Sequence, residues 1–111
     1  MMSDNQSEKV VLAQSVELIK KDLGLDETID VHGSIDPMHD LEVFLEKRLG
    51  FLLDNDFERL LNALYRMDIS ESKVKEILNA KPVKEITKAL TEAVISREIQ
   101  KVKTRMWYTK R

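Results

Sequence analysis

His32 and His39 are the only imidazoles in the chain, and Asp36 and Asp40 stand beside the second of them. Imidazole nitrogens and carboxylate oxygens are both zinc ligands, so a metal at Asp36 and His39 is the first chemistry to weigh. Zinc takes three or four protein ligands with hydrogen-bonded support behind them, and this spacing offers two. Acids at the start of a helix, favoured by its positive end, account for the same residues. The reading is no metal. Nucleophilic catalysis needs a thiol or hydroxyl beside a base that a third group orients, and there is no cysteine to supply the thiol. Three scattered glycines build no phosphate-cradling loop. Twenty carboxylates bring some acids together without locating an acid–base site. The expectation is no catalytic residue, no cofactor and no enzyme.

Three further groups have types that bind or tie. In "LYRMDISESK", Tyr65 carries an apolar ring and a hydroxyl that needs a partner if buried, and Arg66 and Asp68 flank a helix–helix corner. Arg97 interrupts an otherwise apolar stripe, so it either reaches out to water or pairs with an acid. Asp54 and Asp56 are its expected partners, which makes Asp54, Asp56 and Arg97 a candidate structural cluster. The closing segment, "REIQKVKTRMWYTKR", carries six basic residues and one acid, whereas residues 1–96 carry 12 basic and 19 acidic. Lys101, Lys103, Arg105, Lys110 and Arg111 surround Trp107 and Tyr108, the mixture that tracks phosphates and stacks on bases. An acidic body opposes a nucleic-acid backbone, and basic residues commonly close a helix. Nucleic acid or ribosome binding through this patch is therefore the alternative to a protein partner.

The elements that position these groups are legible from periodicity. A chain of 111 residues suits one domain. Charged residues make up 34%, above a usual ~25%, and the five prolines and glycines are too few to punctuate many turns. Both point to helices. Val11, Leu12, Ser15, Leu18, Ile19 and Leu23 repeat at helical spacing from Ser7, and Gly24 supplies a stop. Residues 1–6 are expected to be disordered. Residues 25–36 lack the period and are expected to form a loop, a short hairpin at His32–Gly33 being the other form open to them. Asp36 and Pro37 open a second helix with Leu41, Phe44, Leu45, Arg48, Leu49 and Leu52 on one side. Asn55 and Glu58 have capping-box spacing, which predicts a third helix with Phe57, Leu60, Leu61, Leu64 and Tyr65 as its stripe. Ser70 caps a fourth, with Ile69 stapled to Val74, and Pro82 opens a fifth and longest one.

On that fifth helix Val83, Ile86, Leu90, Ala93 and Val94 share one face, and beyond Val94 the apolar residues move to another. Ile95, Ile99, Val102 and Met106 lie there, with Trp107 close by, and form the candidate interaction surface. Two apolar faces require two partners. The second is either the N-terminal helix or another subunit.

Residues 41–105 also resemble a small bacterial family of all-helical proteins with no established function. The resemblance rests on Asp56, Phe57, Leu60, Leu61, Leu64, Tyr65 and Arg66, then Asp68, Ser70 and Glu71, then Arg97, Gln100 and Lys101. It implies an all-helical cytoplasmic protein and carries over no activity, cofactor or catalytic residue. The expected fold is all-α, a single-domain bundle of about five helices with a long C-terminal helix. The expected function is a non-enzymatic protein-interaction or adaptor module, with a homodimer as one form. No run of ~18 apolar residues predicts a membrane span.

Overall fold

The computed structural model describes residues 2–25, 29, 35–80 and 82–109. They form five α-helices: α1 (Met2–Leu23), α2 (Pro37–Asn55), α3 (Phe57–Arg66), α4 (Glu71–Ala80) and α5 (Val83–Thr109). None of the described residues is in a strand. The predicted loop over 25–36 falls mostly outside the described residues, as does His32. At 1.5 Å per residue α5 is about 40 Å long, which matches the longest dimension of the molecule, 42 Å. It packs along α1, α2 and α4, while α3 fills the space beside α1 and α2.

Local sequence explains most boundaries. Asp36 caps α2 by accepting from the His39 backbone N–H at 3.2 Å, with Pro37 at the first helical position, where its missing donor costs nothing. This is the use found for the Asp36–His39 pair. α2 and α3 are separated by Asp56 alone. Its backbone N–H still bonds Leu52 of α2, while its side chain accepts from the Arg59 N–H of α3. The cap predicted at Asn55 is thus displaced by one residue. Asn55 instead donates its side-chain amide to the Phe51 carbonyl, closing α2. Ser70 Oγ caps α4 at the Lys73 N–H, 3.1 Å, and both Ile69 and Val74 are buried in the core as the staple requires. α1 includes residues 2–6, against the expected disorder. Once a helix is nucleated, each further residue adds a hydrogen bond for little cost, so a polar lead-in extends it.

The main core runs through Ile19 and Leu23 of α1, Leu41, Leu45 and Leu49 of α2, Leu60 and Leu64 of α3, Val74 of α4, and Leu90 and Val94 of α5. In α3 the buried set is Leu60, Ala63, Leu64 and, at its C-cap, Met67. Phe57 and Tyr65, assigned to the inward stripe by spacing, are 42% and 44% exposed. Ala63 and Met67 rotate the centre of the stripe away from both aromatic rings. Val83, at the start of α5, is likewise exposed rather than inward.

Both α1 and α3 end in the same hydrogen-bonded motif, in which a left-handed residue follows the last turn. Gly24 (φ 67) does this for α1, its N–H bonding Lys21 while the Leu25 N–H bonds Lys20. Asp68 (φ 64) does it for α3, with Asp68 N–H on Tyr65 and Ile69 N–H on Leu64. A side chain at positive φ is strained where glycine is not. Asp68→Gly relieves about 1 kcal/mol of strain, part of which is offset by the freedom glycine gives the unfolded chain, and a higher urea midpoint at unchanged slope is expected. The exposed Asp68 carboxylate, 3.7 Å from Arg97, offsets little of this gain.

Candidate functional site

The most unusual chemistry lies between α1 and α5. Glu98 is 0% exposed and Asp22 is 8% exposed. Lys101, one turn along α5 from Glu98, places Nζ 3.5 Å from Asp22 Oδ2 and 3.5 Å from Glu98 Oε2. Beyond that ammonium, no hydrogen-bond donor among the described residues reaches Glu98 Oε1 or Oε2 or Asp22 Oδ2. Buried carboxylates ordinarily collect such donors, and without them the charged form is disfavoured. Burial first, and the Asp22 carboxyl after it, push the Glu98 carboxyl up from its ordinary 4.5 to about 8. Lys101 acts in the opposite direction without cancelling the rise. The neutral form of Glu98 is thereby favoured well above the usual carboxylate range. Neither Asp22 nor Glu98 stands out by motif, and Lys101 belongs to this layer rather than to the basic patch assigned to it.

Two arginines complete the end of α1. Arg66 Nε and Nη2 both donate to the Asp22 carbonyl, at 3.2 and 3.0 Å, and Arg59 Nη2 donates to the Leu23 and Gly24 carbonyls. The last carbonyls of a helix carry its negative partial charge and lack intrahelical donors. Guanidinium groups seven residues apart on α3 meet both needs. Arg66 thus holds α1, whereas the sequence places it only at the corner before α4.

Arg97 is tied to the same corner from the other side. Its Nε donates to the Met67 carbonyl at 3.1 Å, Nη1 to Gln100 Oε1, and Nη2 lies 3.7 Å from Asp68. The expected cluster of Arg97 with Asp54 and Asp56 does not form: Asp56 is the cap between α2 and α3, and Asp54 is exposed near the end of α2. The acid that Arg97 meets is the one presented by the left-handed turn.

The second apolar face of α5 has a partner in the same chain. Val102 is buried with Val11 and Leu18 of α1, and Ile99 and Met106 pack partly buried against them. Ile95 is buried in the main core. Of the candidate surface, only Trp107 stays open, 57% exposed, beside Tyr108 at 64%. Their rings meet edge to face, centroids 5.1 Å apart. Lys103 and Arg105 are exposed on the same terminal turns, while Lys110 and Arg111 lie outside the described residues.

No protein-family model, curated protein or solved structure matches this chain. Geometry alone bears on function. The surface hollows are shallow. One of about 370 Å³ lies beside Ser70, Lys73, Ser96 and Arg97 and another beside Arg59 and Asn62, both open to water on α3–α5 surfaces. No described group of three or more His, Cys, Asp or Glu is arranged to hold a metal ion. Among the described residues, no helix is long and apolar enough to cross a membrane.

Proposed function

We propose that the chain is a non-enzymatic interaction module of the cytoplasm that engages a protein, a second copy included, through the terminal turns of α5. The observation that carries this reading is the pair of exposed rings at Trp107 and Tyr108, stacked edge to face at 5.1 Å with Lys103 and Arg105 near them. Trp, Tyr and Arg are the residue types that dominate binding energy at protein interfaces. Edge-to-face packing of the two rings limits their freedom before binding, which reduces the ordering cost on association. The absence of cysteine fits a reducing compartment. The likeness to a bacterial all-helical family belongs to the same proposal, through Tyr65, Arg66, Arg97 and Lys101.

Nucleic acid is the less supported occupant, because Lys101 is drawn inward to Asp22 and Glu98 and leaves the basic patch. The deciding experiment compares the parent with Trp107→Ala, Tyr108→Ala by light scattering across concentration and by affinity purification. The expected result is association weakened tenfold or more at unchanged Tm, since both rings are exposed. A monomeric parent whose co-purifying proteins are identical in the double variant would sink the proposal. Salt-sensitive RNA binding abolished by Lys103→Ala, Arg105→Ala would replace it with the nucleic-acid reading.

A further inference from the structure

We propose that the seam between α1 and α5 is a proton-operated latch, in which Asp22 and Glu98 share the Lys101 ammonium and need one further proton to keep α1 docked. Two carboxylates and one ammonium leave a net negative charge in a layer where Glu98 is fully covered and Asp22 nearly so. One proton on the pair neutralises that charge. It also turns Glu98 into a donor for Asp22, which occupies one Glu98 oxygen, gives Asp22 Oδ2 a partner, and leaves the Lys101 ammonium to the rest of the pair.

The groups that face Glu98 come from each adjoining side. Asp22 projects from α1 and Lys101 from α5 itself. Arg66 of α3 stands behind Asp22, on its backbone carbonyl. Only Asp22 and Lys101 act on the Glu98 carboxyl, one against ionisation and one for it. The acid is raised from 4.5 to about 8, so between those values the folded chain holds a proton that the unfolded chain has released. Stability from this group is complete below about pH 4.5, declines through the window, and is lost above about pH 8. The decline approaches tenfold in the docking equilibrium per pH unit.

What the latch covers gives it a consequence. Val11 and Leu18 of α1 lie over Val102, with Met106 at the margin and Ile99 shared with the main core. Opening of this seam uncovers an apolar strip on α5 that leads to Trp107, and it works against Val16, Ile19 and Leu23, which hold α1 in the main core. The proton therefore controls access to a surface distinct from the exposed ring pair, and the latch stands whether or not those rings bind anything.

Hydrogen exchange followed by mass spectrometry, with intrinsic rates corrected, tests this between pH 6 and 9. The expected result is a loss of protection in α1, up to about a hundredfold between pH 6 and 8, exceeding that in α2. Glu98→Gln, which keeps the donor and never ionises, should hold α1 protection level across the range. Asp22→Asn removes the carboxylate that raises Glu98 and should move the midpoint below its value in the parent. Equal loss of protection in α1 and α2, the same pH profile in Glu98→Gln, or an unmoved midpoint in Asp22→Asn would overturn the latch.

Discussion

Lys101→Met is expected to destabilise the protein by about 3 kcal/mol at pH 9, and by less at pH 5.5. The substitution keeps the length and apolar stem of the side chain, so packing changes little and the lost charge is what is read. In the parent, Nζ stands 3.5 Å from both Asp22 and Glu98, and only 17% of the lysine side chain is exposed. Removing one member of a buried charged set costs more than the set itself contributes, because the survivors stay buried without a partner. Lys101 also lowers the Glu98 carboxyl, against burial and Asp22. Without it, Glu98 rises further and the pH window over which stability falls extends upward. At acid pH Glu98 is protonated with or without the lysine, so its ionisation adds nothing to the penalty there. Urea denaturation at the two pH values measures the difference. A penalty independent of pH would mean that the lysine acts through its packing and not through the carboxyl pair.

The elements themselves were legible because their determinants are local. Asp36 with Pro37, Ser70 with Ile69 and Val74, and Gly24 after Leu23 each act within a few residues of themselves, and each lies where its chemistry requires. The start of α3 shows the limit of such signals. Asn55 and Asp56 are equally good caps, and the glutamate at 58 favours the first. The structure uses the second, because one residue between two helices must close α2 and open α3 together.

The polar ties were not legible, for a different reason. Arg59 and Arg66 serve carbonyls 35 to 44 residues away, and a carbonyl is the same group in every residue. No spacing rule could pair them. Glu98 did leave a trace. It lies three residues after Ile95 and four after Val94, and Val102 follows it by four, so the helical wheel puts it among buried positions. Its charge alone argued for the surface. Arg97 interrupts the inward stripe and Lys101 follows it one turn later, and both are drawn inward, toward Met67 and toward Asp22 with Glu98 respectively. Their partners depended on a turn and a neighbouring helix that periodicity does not orient.

Val102→Asp separates the two readings of the long helix most sharply. If the face of Ile99, Val102 and Met106 were open for a second subunit, a carboxylate there would dissolve the dimer and leave each monomer intact. In the structure Val102 is 2% exposed against Val11 and Leu18. A carboxylate at that position is buried without a cation and lies one turn from Glu98, adding like charge to a layer already short of donors. The expected cost is about 4 kcal/mol or more, seen as a lower Tm at every protein concentration. The deficit should narrow as pH falls, because both acids can then bind protons. Lys103→Asp, one residue along and exposed, supplies the control and should change Tm little. A Val102→Asp chain that keeps its parent Tm and changes only its oligomeric state would mean that α1 is not seated on α5. The buried layer at Asp22, Glu98 and Lys101 would then open to water, and its proton dependence would go with it.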